Sequence, residues 1–146
     1  MATQAEREAQ GPTGGLTPHI QIGDKRAAEA IDWYIKAFGA TEMRRQAVDD
    51  GRLMHAHLHI NGASLMLHDE FPEYVGPADV DVAGGSGLTL HLQVDDADAW
   101  FDLAVAAGAT ATMPVEDMFW GDRYGQVIDP FGYRWSIGCP LKGDAQ

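Results

Sequence analysis

Two stretches decide the fold: Leu16-Thr-Pro-His-Ile-Gln-Ile-Gly-Asp24 and Leu88-Thr-Leu-His-Leu-Gln-Val-Asp-Asp96. Laid on each other at a shift of 72, they share Leu, Thr, His, Gln and Asp, and their aliphatic positions match in kind. The match continues in order. Each stretch reads as a half-buried strand, because apolar and polar residues alternate with period two. Each is followed by a helix pattern, and Gly39-Ala40-Thr41 after the first helix returns as Gly108-Ala109-Thr110 after the second. Further on, Phe131-Gly132 stands 70 residues after Asn61-Gly62. Two units in tandem, each β-α-β-β-β, is the simplest account.

Working outward, Asp24 stands where a helix N-cap belongs, and Ala27, Ile31, Tyr34, Ile35 and Phe38 recur at helical spacing up to Gly39. Strands are expected at Glu42–Ala47, Leu53–Ile60 and Ala63–His68, separated by the hairpin dipeptides Asp50-Gly51 and Asn61-Gly62. The second helix is expected from Ala97 to Ala107, with Trp100, Phe101, Ala104 and Val105 as its apolar side. Residues 1–15 have almost no large apolar side chains and read as a flexible tail, and 142–146 as a second tail. One domain spans 16–141, with units at 16–70 and 88–141 and a Pro- and Gly-bearing connector at 71–87. The expected class is α+β. Each unit covers one sheet face with its helix, so the two sheets together would curl into a cup-shaped mixed sheet with helices outside. The uncovered faces would line a cavity.

Composition narrows the function. The chain has 146 residues, 45% apolar and 22% charged, enough for one core. No apolar run is long enough for a membrane span, and the start MATQAEREAQ has no secretion-signal pattern, so a cytoplasmic, membrane-independent protein is expected. A net charge of −12 repels phosphate backbones and argues against nucleic-acid binding. The single cysteine, Cys139, has no activating positive neighbour in sequence and reads as structural or incidental. There is no phosphate-binding Gly loop and no Gly-x-Ser-x-Gly elbow. A small-molecule or protein partner remains; the cavity favours a small molecule, and a protein-interaction domain with a vestigial cavity is the alternative.

The stretches Ala30-Ile-Asp-Trp-Tyr-Ile-Lys-Ala-Phe-Gly-Ala40, Met54-His-Ala56, Met118-Phe-Trp-Gly-Asp-Arg-Tyr-Gly125 and Asp129-Pro-Phe-Gly-Tyr-Arg-Trp135 resemble the vicinal oxygen chelate superfamily. That group holds glyoxalase I, bleomycin-resistance proteins and extradiol dioxygenases. The last two stretches look like its demethylubiquinone methyltransferase-like branch, although nothing in the chain resembles an S-adenosylmethionine site. The resemblance implies a homodimer. It also places the superfamily's metal-ligand positions at Thr17, Met66, Thr89 and Ser136, none a good divalent-metal ligand. No cofactor is required on this reading, while a divalent metal elsewhere stays open.

Strand parity points all six histidines away from the helices: His19 and His91 on the first strands, His55, His57 and His59 opposite Met54, Ala56, Leu58 and Ile60, and His68 opposite Leu67. They can form a hydrogen-bonding cavity wall, lend one member as acid or base, or build a shifted metal site from His19, His68 and His91. The last would make a metal-dependent lyase, isomerase or dioxygenase. The candidate ligand-binding set is His19, His55, His57, His68 and His91, with Trp120 and Arg123 of the loop 114–124 closing the cavity. Alternatively, Trp120 packs on the sheet and Arg123 pairs with Asp122 or Asp129. Glu116 and Asp117 read as solvated loop charges, and Trp33 and Trp135 as packing residues.

Overall fold

The computed structural model describes residues 1–75 and 87–142, with the side chains of these except 8–10 and 75. The expected stretches 76–86 of the connector and 143–146 of the C-terminal tail lie outside the described residues. The chain divides into two compact units, Met1–Val80 and Asp81–Gln146. The expected α+β class and tandem β-α-β-β-β order are both present.

In the first unit the elements are α1 (Gln4–Gln10), β1 (His19–Ile22), α2 (Ala27–Phe38), β2 (Thr41–Ala47), β3 (Leu53–Ile60), β4 (Ala63–Asp69) and α3 (Pro72–Val75). The sheet order is β1-β4-β3-β2, with β1 parallel to β4 and the other pairs antiparallel. Within the expected tail, α1 forms because Thr3 and Glu6 close a capping box, a local signal that composition alone hides. In α2, Ala27, Ala30, Ile31, Trp33, Tyr34, Ala37 and Phe38 are buried against the sheet, while Ile35 is left exposed. Gly39 ends the helix in the left-handed region, its N–H on the Ile35 carbonyl.

The start of α2 corrects the sequence reading. Asp24 sits in a turn at φ 58° and is exposed, and the N-cap residue is Arg26, whose side chain caps nothing. The cap comes from 42 residues away: buried Asp69 accepts from Ala27 N (2.9 Å) with one oxygen and from Leu53 N (2.7 Å) with the other. One carboxylate thus ties the positive end of α2 to the first residue of β3.

Asn61 and Gly62 both adopt positive φ, as a tight β3–β4 hairpin requires. On β3 the expected parity fails at one residue. Gln46 pairs with His55 but Ala47 with Leu53, so Met54 is extra, a β-bulge. Leu53 therefore takes the core place expected for Met54, which is exposed, while Ala56, Leu58 and Ile60 stay buried as expected.

The second unit repeats the plan with β5 (Thr89–Gln93), α4 (Ala97–Ala106), β6 (Thr110–Asp117), β7 (Asp122–Ile128) and β8 (Arg134–Pro140), in the order β5-β8-β7-β6. Here the helix carries its own cap, Asp96 accepting from Ala99 N. Of the expected apolar side of α4 only Ala104 is buried, together with Ala97; Trp100 and Phe101 are half-buried and Val105 is exposed. The expected loop 114–124 is mostly strand. β6 runs on to Asp117 and β7 starts at Asp122, with irregular pairing around Pro114, where an edge strand tolerates the missing N–H. Trp33 and Trp135 are packing residues, as expected. Among the described residues no helix is long and apolar enough to cross a membrane.

Candidate functional site

On the first sheet, burial of Ile20, Ile22, Leu65 and Leu67 marks the α2 side, so His19, Gln21, Met66 and His68 occupy the face away from α2, the helix-free face that the helix of the β-α-β-β-β unit leaves uncovered. Parallel pairing sets His19 beside Met66 and Gln21 beside His68. The His19 ring meets His68 edge-on at 4.9 Å and lies 6.3 Å from His55, so β1, β4 and β3 each contribute one imidazole to a row. His68 Nδ1 lies 2.6 Å from the Asp69 carbonyl, which can only accept, so Nδ1 carries the hydrogen. The pKa of His19 is lowered, first by burial and then by the neighbouring His68 and His55, which disfavour a further positive charge. His19 is therefore chiefly a neutral ring at pH 7, able to both donate and accept.

His57 is different. It is wholly buried, with Nε2 2.8 Å from Ser64 Oγ and its ring edge-on to His59 at 5.0 Å. It supports the face and presents no accessible nitrogen, a correction to its expected place among ligand-contacting residues.

On the second sheet, buried Leu90, Leu92, Val127 and Ile137 mark the α4 side. The opposite face carries His91 and Gln93 of β5, Tyr124 and Gln126 of β7, and Arg134 and Ser136 of β8. His91 holds Ser136 Oγ at 2.7 Å through Nδ1 and Gln93 Oε1 at 2.8 Å through Nε2. Its ring stacks on Tyr124 (6.0 Å, 18°), Tyr124 meets Trp120 edge-on at 5.4 Å, and Trp120 meets Phe119 at 5.1 Å. Gly138 makes room for this arrangement, since a Cβ there would lie 3.2 Å from His91 Cε1.

Trp120 reaches this aromatic row from the β6–β7 turn, half exposed, its Nε1–H donating to Asp122 Oδ2. Arg123 does not join it. Alternation along β7 puts Arg123 on the α4 side, where its guanidinium forks Asp98 (2.6 and 3.0 Å) and reaches Asp117 (2.8 Å). These carboxylates, with Asp95, Asp96 and Cys139, line a cleft of about 650 Å³. Both expectations for Arg123, ligand clamp and partner of Asp122 or Asp129, give way to this fork. Asp129 is instead buried and accepts from Phe131 N, Tyr133 N and Trp135 Nε1.

The family model described as the glyoxalase/bleomycin resistance protein/dioxygenase superfamily matches residues 17–137. The chain belongs to that superfamily. An uncharacterized protein of Mycobacterium bovis is 48% identical over 129 residues, covering 87% of this chain and 84% of its own length. The crystal structure of TioX from Micromonospora sp. ML1 superposes with a TM-score of 0.65 at 28% identity, covering 87% of this chain and all of that one. The PhnB protein of Bacillus cereus, which carries a 3-demethylubiquinone-9 3-methyltransferase label, gives 0.68 at 18% identity over 86% of this chain and 99% of its own, a likeness of fold alone.

The positions expected from the resemblance to hold the superfamily's metal, Thr17, Met66, Thr89 and Ser136, offer three hydroxyls and a thioether, and Ser136 Oγ already meets His91. That donor set does not fit a divalent metal of oxygen-activating chemistry. In the shifted set, His19 and His68 come together while His91 belongs to the other unit; among the described residues no three His, Cys, Asp or Glu side chains are grouped to hold a metal ion. Gln126 and Arg134 escaped the sequence reading. The internal repeat held the signal, since His57 maps on Gln126 and Ser64 on Arg134 at shifts of 69 and 70.

Proposed function

We propose that this superfamily member binds a small aromatic or anionic molecule on the histidine-bearing, helix-free faces of its sheets, without the family's usual metal quartet. The observation that carries the reading is the row His19–His68–His55, three imidazoles from three strands within 4.9 and 6.3 Å of His19 on one face. His57 differs from these three in being wholly buried, with Nε2 on Ser64 Oγ. The imidazole row offers flat π surface together with ring nitrogens, which suits a planar ring bearing hydroxyl or carbonyl groups. The same proposal puts the protein in the cytoplasm. It also has it act as a homodimer, for which β2, an edge strand exposed along nearly its whole length, offers unpaired backbone groups.

Isothermal titration with 2-naphthol tests the binding reading. The wild type should bind saturably, with His19→Ala and His55→Ala each weakening binding several-fold. Equal affinity in wild type and both variants, or no heat at all from the wild type, would overturn it.

A further inference from the structure

Arg26, Arg45, Arg52 and Arg123 each pair with at least one carboxylate. Arg7, Arg44 and Arg134 pair with none among the described residues, and of these three only Arg134 is not exposed. Its Nη1 donates to a neutral acceptor, Gln126 Oε1, at 3.0 Å, and Gln126 Nε2 in turn donates to Tyr124 Oη at 3.1 Å. The side chain is half-buried, in a chain whose acidic residues outnumber its basic ones 22 to 10. A partly desolvated guanidinium that meets a neutral acceptor, and no carboxylate among the described residues, is well placed to take an anion from solution.

Its neighbours define which anion. Strand pairing sets Arg134 beside Thr89 and Ile128, and the next residue on the same face, Ser136, beside His91 and Gln126. The stacked pair His91–Tyr124 therefore begins about one side-chain repeat, some 7 Å, along the sheet from Arg134. The Arg134–Gln126–Tyr124 chain of hydrogen bonds fixes the guanidinium with one of its five donors, leaving the rest of the fork for a ligand. A planar fork matches a carboxylate in two parallel bonds. A net charge of −12 also penalises a dianion such as phosphate more than a monoanion.

We propose that the helix-free face of the second sheet binds a small aromatic carboxylate, with Arg134 holding the carboxylate and the His91–Tyr124 stack facing the ring. Binding at Arg134 rests on the small-molecule reading above, and the two can fail separately.

The experiment titrates benzoate, benzyl alcohol and inorganic phosphate into wild type, Arg134→Gln and Arg134→Lys, with affinities from calorimetry and histidine-ring NMR to locate each probe. Arg134→Gln should weaken benzoate about ten- to a hundredfold, the range for a charged hydrogen bond, and leave benzyl alcohol unchanged. Arg134→Lys, which keeps the charge and loses the fork, should fall between. Benzoate binding equally to wild type and both variants overturns the assignment, as does phosphate binding more tightly than benzoate. If benzyl alcohol shifts the His19, His55 and His68 rings while benzoate is indifferent to Arg134, the assignment fails and the small-molecule reading stands. If no probe shifts any histidine, both fail.

Discussion

Removing the Asp69 carboxylate should cost more than any other single polar deletion in the first unit. In Asp69→Ala two buried N–H groups, Ala27 and Leu53, lose their acceptors at 2.9 and 2.7 Å together. An unsatisfied buried donor costs about 1–3 kcal/mol, and α2 also loses the negative charge at its N-terminus, with no cap from Arg26 to replace it. Relief of the carboxylate's own desolvation offsets part of this, leaving about 3 kcal/mol. For a chain of this size that lowers Tm by about 6–12 °C. Asp69→Asn keeps one accepting oxygen and sets an amide N–H against the other donor, so it should lose about half as much. Differential scanning calorimetry measures both, and hydrogen exchange at the Ala27 and Leu53 amides shows whether the loss begins there. A Tm fall below about 2 °C for Asp69→Ala, or equal falls for Ala and Asn, would refute the two-ended tie.

Three further outcomes are expected. His19 should titrate below 6.5 by histidine-ring NMR, and His68→Gln should move it upward; an unmoved midpoint would contradict the like-charge contribution. With the folded pKa lowered, the unfolded chain binds more protons, so the stability from neutral His19 is full above pH 6.5 and is lost as pH falls toward the folded value. Glu73 should titrate at about 2, because Arg52 hydrogen-bonds its carboxylate, and Arg52→Gln should return it toward 4.5 in a carboxyl-detected titration. Gly125→Ala should lower Tm by several degrees, since its Cβ would lie 2.9 Å from the Met113 carbonyl and 2.9 Å from Val115 Cγ2, and backbone cannot swing aside as a side chain can. An unchanged Tm would mean β6 yields at its irregular pairing.

The fold was legible because it is written twice. The repeat of Leu16–Asp24 in Leu88–Asp96 needs no long-range information, and the hairpin at Asn61-Gly62 is a local demand for positive φ. What escaped depends on contacts distant in sequence or on a broken period. Asp69 caps a helix 42 residues away, so Asp24, the nearest acid, looked like the cap. The Met54 bulge exchanges Leu53 for Met54 in the core, and no composition rule announces it. The error at Arg123 has a definite origin. Reading 114–124 as a loop withheld from β7 the parity argument that placed the histidines. With it, Arg123 falls on the face of Val127, opposite Tyr124 and Gln126, while Arg134 lies on the face of the second sheet away from α4. His57 shows the limit of parity itself, which gives the face of a side chain and not whether its neighbours bury it.

The most direct test of the account is a titration of protein carrying 13C-labelled histidine rings, followed through all six ring signals while 2-naphthol is added. The account predicts saturable shifts at His19, His55 and His68, with buried His57 unmoved. Six signals that stay in place to saturation, or movement confined to His57 and His59, would contradict it.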